Sequence, residues 1–386
     1  MTDDSLKKND NCDKIESKNT DTSKIIKEKK HNGIISFWKF MFSMLIVLFH
    51  CNENLLKGNF FAAGRIGVEF FFLTSGYLMA KKALNNKNDI SNIGIETTTY
   101  IWRKIKSFFP YIIVPFIITI FVKEIYQPQK LVNSIWNLTF LDMSGVKSTA
   151  VIGQTWYISA MLISMLILYP LIRRYKSTFT HIIAPIIVIT IGGWMSHKYG
   201  SVSGPLVYVN FIYKGLLRAI FEISLGTIIY EIAQKIKSIN FTKLSKFLLT
   251  IVEIVGFVSI FFIVNIKNAT SKYEFVMILI LTISISLAFS EKTIFYNISN
   301  NKLCYYLEKL SLPIYLNHIW IILLVGKHLK NYSFGAKTII SVVLAIAFSI
   351  FIMWATETVQ KIWNKKKKSI KKFFIVEGEK IWNMII

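Results

Sequence analysis

Cysteine is scarce in this sequence. Three occur in 386 residues, Cys12, Cys51 and Cys304, an odd number without metal-ligand spacing, so neither a metal site nor a disulfide framework is expected. Nothing matches a phosphate-binding loop or a dinucleotide fingerprint, and no internal repeat is evident. No small-residue cleavage site follows the first apolar stretch, and the polar region ahead of it is too long for a secretory leader. Acidic side chains are few as well: 22 Asp and Glu stand against 46 Lys and Arg, a formal net charge of +24. Such an excess would suit nucleic acid, but its distribution argues against that partner. Lysines crowd the two ends and alternate loops, as juxtamembrane basic segments do beside anionic lipid.

What the chain has in plenty is apolar length. Hydrophobic residues make up 53% of it, and runs of bilayer length recur from Ile34 to Val359 with short polar breaks. The pattern predicts an all-α fold, a polytopic membrane helix bundle of about ten transmembrane helices. The expected spans are 34–52, 62–81, 108–125, 154–172, 179–196, 208–232, 247–266, 274–290, 311–328 and 337–359. Loops after the even spans hold most of the lysine and arginine, including Lys81, Lys82, Arg103, Lys104, Lys106, Arg173 and Arg174. An even span count with lysine-rich ends places both termini in the cytoplasm, and Cys51 then lies across the bilayer from Cys12 and Cys304. Residues 1–32, with eight lysines among Asp, Asn, Ser and Thr, read as a disordered lysine-rich cytoplasmic tail. Residues 33–360 form the transmembrane domain. Residues 361–386 read as a basic amphipathic tail, either lying on the inner leaflet or serving as a solvated stop-transfer flank. No soluble domain is expected after the last span.

The stretch from Phe37 to Ala80 is apolar enough for hydrocarbon, yet it carries Lys39, His50, Arg65 and Glu69. Ionisable groups at such depth are costly and by default mark a functional site. Lys39 and His50 are eleven residues apart, which returns to nearly the same helical face after roughly 16 Å of rise. The first helix resembles the opening helix of the integral-membrane acyltransferase 3 family, which has a basic residue, ten residues and then a histidine. Gly67, Val68, Glu69, Phe71, Phe72, Ser75, Gly76 and Tyr77 resemble that family's G-V-[DE]-x-F-F-x-x-S-G-[FY] motif. The segments Gln154–Pro170 and Leu307–Ile321 are similar to two later pieces, and the likeness covers roughly residues 34–359. One departure is Lys39, where the family usually has arginine; lysine keeps the charge and loses the planar fork.

The resemblance implies a membrane O-acyltransferase that moves an acyl group, most often acetyl, from acyl-CoA as co-substrate to a hydroxyl of an envelope or exported glycan, or of a lipid-linked sugar, at the cell membrane. His50 then reads as the general base, with Glu53 or Asn54 able to reach the imidazole and hold its tautomer. Cys51 points off that stripe. Lys39 reads either as a donor contact at the cytoplasmic mouth or as a snorkelling lysine. Arg103 and Lys106 either extend a phosphate-binding cluster or form an ordinary basic flank.

Glu69 takes Arg65, four residues earlier, as its expected partner, in an ion pair more structural than catalytic. Gly76 is expected to permit close helix packing. In the sixth span Lys214, Arg218 and Glu222 follow at four-residue steps, as a charge ladder or as a simple Arg218–Glu222 pair. Ser311, Tyr315 and His318 share one helical face, suited to an acceptor wall or to helix–helix hydrogen bonds. Trp156 and Tyr157 suit an aromatic belt or sugar stacking. Two other classes remain open on the sequence: a glycolipid or polysaccharide transporter or flippase, and a non-catalytic component of a polysaccharide-assembly complex.

Overall fold

The computed structural model describes residues 32–56 and 58–385, with side chains to Trp363. The expected tail over 1–32 therefore lies outside the described residues except for Asn32. That residue caps the first helix, its Oδ1 accepting from the Ile35 backbone N–H at 3.2 Å, as an N-cap side chain should. Among the described residues ten helices of sixteen residues or more follow one another: α1 (Gly33–Cys51), α2 (Gly67–Leu84), α3 (Ile93–Val122), α4 (Thr155–Thr178), α5 (Ala184–Tyr199), α6 (Lys214–Ser238), α7 (Lys243–Ile263), α8 (Ala269–Ser290), α9 (Lys302–His328) and α10 (Phe334–Ile385). The fold is an all-α membrane bundle.

Among the described residues seven stretches are long and apolar enough to cross a membrane, and the expected figure of ten goes beyond them for two physical reasons. α4 and α5 form one continuous apolar stretch, broken where Lys176 takes a positive φ of 39°. α2 and α6 are long but carry buried charge, Glu69 in one and Lys214, Arg218 and Glu222 in the other.

Two expected boundaries need correction. α3 begins at Ile93, well before residue 108, so Arg103, Lys104 and Lys106 lie inside a helix and not in a loop. It starts early because Glu96 gives the polar end a partner: Arg173 of α4 donates to Glu96 from Nε at 3.1 Å and from Nη2 at 3.0 Å. The sixth span begins at Lys214, since residues before it form a small hairpin, β1 (Tyr208–Val209) paired with β2 (Ile212–Tyr213). Phe211 at its tip is 83% exposed. The last helix spans Phe334–Ile385.

Small residues set the crossing of α2 and α6. An added Cβ at Gly76 would stand 2.3 Å from the Ile223 carbonyl oxygen, and one at Gly226 2.4 Å from that of Leu73. α2 and α6 thus touch backbone to backbone, as expected for Gly76. Around α1 and α2 the core is aromatic, with Phe42 stacked on Phe70 at 4.4 Å and Trp38 on Phe257 at 4.5 Å. The other face of α1 packs on α9 through Val47, Cys51, Leu310 and Ile314. Cys51 is therefore a buried apolar contact, and it and Cys304 are free thiols.

Candidate active site

The end of α1 does not close as an ordinary helix. Residues Asn52–Leu56 form a π-helical turn, wider than an α-turn. The widening brings Glu53 Oε2 to 2.8 Å from His50 Nδ1, while Asn54 Nδ2 donates to the His50 carbonyl at 2.8 Å. Of the two expected partners, Glu53 meets the imidazole and Asn54 holds the backbone. A carboxylate against Nδ1 keeps the proton on that nitrogen and leaves the Nε2 lone pair free. The imidazole is neither sealed nor loose, its side chain being 23% exposed.

His50 and Glu53 line a cavity of about 590 Å³ whose wall also includes Arg65, Trp156, Arg218 and Tyr315. Six sequence-derived site residues, from five separate segments, thus meet at one space. Pro205 and Val207, from the loop before the hairpin, close part of its rim, and Lys123 stands at another edge. Along α1 the cavity reaches from Glu53 to Ile46 and does not include Lys39.

The expected pairing of Arg65 with Glu69 does not occur. Glu69 pairs with Arg218, whose Nε also donates to Glu222 Oε1 at 3.0 Å. The reason is local: Gly64–Ile66 is a 3₁₀ turn ahead of α2, so the i,i+4 registry of an α-helix does not extend back to Arg65. Released from Glu69, Arg65 faces the cavity, with its guanidinium 5.9 Å from the Phe49 ring centroid. Arg218, 1% exposed, lies between two buried carboxylates and 5.4 Å from the Trp156 ring centroid. Lys214 is also interior, donating to the Ser201 carbonyl at 3.0 Å over the Tyr199 ring. The ladder is therefore buried along its length, and the Arg218–Glu222 pair lies within it.

The remaining candidates sit off the wall. His318 is fully buried behind it, its ring centroid 5.1 Å from that of His50. Tyr157 is packed beside the wall, its hydroxyl 3.5 Å from Ser75 Oγ. Ser311 turns its hydroxyl back to the Leu307 carbonyl at 3.2 Å. Lys39 pairs with Glu308 of α9 near the start of α1. Arg103 and Lys106 are exposed on α3, and the Lys106 ammonium lies 5.2 Å from the Trp102 ring centroid.

Two polar wall residues had no part in the expected site. Lys123 was hidden at the end of an apolar span, and Gln154 opened a quoted motif without a role of its own. A polar knot delivers Gln154 and Trp156 to the wall. Thr155 donates to Asp142 Oδ2 at 2.6 Å, Asn137 donates to the same oxygen at 3.0 Å, and the Ile152 N–H donates to Asn137 Oδ1 at 3.0 Å. Burial pushes the Asp142 carboxyl above its ordinary range, while the hydrogen bonds from Thr155, Asn137 and Ser148 draw it down.

The arrangement suits acid–base work on an oxygen nucleophile: a carboxylate-oriented imidazole, cationic side chains and aromatic faces share one cavity. No curated protein and no solved structure matches the chain. The profile of the acyltransferase 3 family, described as an acyltransferase domain, matches residues 32–358. With most of its length covered by that match, this chain belongs to the acyltransferase 3 family.

Proposed function

We propose that the chain is an O-acyltransferase of the cell membrane, taking an acyl group, most often acetyl, from acyl-CoA to a hydroxyl of an envelope or exported glycan. The observation that carries this reading is the His50–Glu53 pair on the wall of the cavity. His50 Nε2 takes the proton of the acceptor hydroxyl as its oxygen attacks the thioester carbonyl. The C–O bond forms, the C–S bond breaks, and the imidazolium returns its proton to the departing thiolate. Glu53 holds the tautomer and stabilises the transient imidazolium.

The lysine-rich ends support cytoplasmic termini and ten crossings, the two charged helices α2 and α6 being shielded inside the bundle. Lys39, Arg103 and Lys106 then face the cytoplasm and bind the donor's phosphates, while the cavity opens outward to the glycan. Trp156 and Tyr315 stack and hydrogen-bond the sugar. Replacement of His50 by alanine is expected to abolish acetyl incorporation into envelope glycans, with the amount of protein in the membrane unchanged. Undiminished incorporation would remove the base assignment.

A further inference from the structure

One residue lining the cavity holds a buried polar atom that the acid–base pair does not use. Gln154 is 4% exposed, and its carbonyl Oε1 is buried without a hydrogen-bond partner. Among the described residues lining the cavity, no other buried side-chain acceptor lacks one. A buried amide oxygen without a donor is unfavourable, so its persistence in a residue that lines the cavity calls for an account.

The orientation of the amide follows from its neighbours. His318 Nδ1 donates to the Ile314 carbonyl at 3.0 Å, which fixes the proton on that nitrogen and leaves Nε2 as an acceptor. Gln154 Nε2 lies 3.5 Å from His318 Nε2, at the long end of hydrogen-bond reach. Only the NH₂ end can face that lone pair, so Oε1 is turned away from His318. The backbone is fixed too, since Tyr315 donates from its hydroxyl to the Gln154 carbonyl at 2.9 Å. The His318 ring that anchors the amide is the one whose centroid lies 5.1 Å from His50. Gln154 is thereby held rigidly beside the base, with one acceptor oxygen left over.

We propose that Gln154 is a positioning residue for the acceptor, binding a second hydrogen-bond donor, a hydroxyl or amide N–H adjacent to the hydroxyl that His50 deprotonates. The assignment rests on the acyltransferase reading of the cavity. It narrows the acceptor to sugars with such a donor next to the acylated position, and it gives His318 a part in selectivity through the amide it orients.

The test uses membranes bearing the full chain, radiolabelled acetyl-CoA and graded amounts of the host's own envelope glycan fraction. Gln154→Met keeps the length and removes the oxygen; Gln154→Glu keeps an acceptor oxygen. For Gln154→Met the half-saturating glycan amount is expected to rise about tenfold, while the KM for acetyl-CoA and the maximal rate stay within about twofold. Gln154→Glu, as the neutral acid, turns its O–H to His318 Nε2 and keeps the carbonyl oxygen, and should restore most of the glycan affinity. A merely structural role predicts the reverse order, because a buried carboxylate harms packing more than a thioether. Wild-type membranes that transfer label while Gln154→Met matches them would overturn the positioning role alone. Wild-type membranes that transfer none would overturn the acyltransferase reading, and this assignment with it.

Discussion

His50 depends on one carboxylate for its orientation. Glu53 Oε2 is its only ion-pair partner among the described residues, at 2.8 Å, and the Glu53 side chain is half exposed. Glu53→Gln would replace an acceptor by a group able to present N–H to Nδ1, which blurs the tautomer without emptying the space. Activity should fall by about one to two orders of magnitude, short of the loss expected for His50→Ala. Acetyl transfer by purified Glu53→Gln, with its thermal unfolding unchanged, is the measurement; equal rates would show that the imidazole needs no such partner. The buried arginine is a different matter. Arg218 is shared by Glu69 and Glu222, so neither carboxylate alone carries the neutralisation, and the trio holds α2 to α6 beneath the cavity floor.

That floor depends on the crossing of α2 and α6. With Cβ space at Gly76 and Gly226 occupied by the partner's backbone, even alanine must push the helices apart. Gly76→Ala is expected to destabilise by about 1–3 kcal/mol, seen as a lower unfolding temperature in detergent. Gly193→Ala in α5, where a Cβ meets nothing within 4 Å, should leave it unchanged. If both variants behave alike, the close approach is not what limits these helices. Much of this was readable beforehand: apolar runs located every long helix, and Gly76, His50 with Glu53, and Arg218 with Glu222 behave as their spacing implies. What spacing could not show was tertiary. Arg65 and Glu69 looked like helical neighbours, but a 3₁₀ turn intervenes, and the true partner comes from α6, about 150 residues along the chain. Arg103, Lys104 and Lys106 resembled a loop because nothing local reveals that Glu96 is anchored by Arg173. Gln154 went unremarked because a glutamine is informative only once its neighbours are known.

Across the whole molecule, charge and cavity divide the bundle. Lys39 with Glu308 stands near one end of α1 and His50 near the other, separated by roughly 16 Å of helical rise. The proposed orientation puts the hairpin outside and the α2–α3 connection inside. With Cys12, Cys51 and Cys304 replaced, a cysteine at Phe211 should react with a membrane-impermeant maleimide in intact cells. A cysteine at Lys82 should react only after permeabilisation. The opposite pattern would invert the bundle and overturn the proposed outward opening of the cavity.

The widened turn after His50 has one further consequence. A π turn contains one residue more than the α-turn it replaces. Deletion of Asn52 alone would shorten the step from His50 to Glu53 and swing the carboxylate about 100° around the axis, leaving composition almost untouched while parting acid from imidazole. The chemistry of this stretch therefore depends on its length as much as on its lettering.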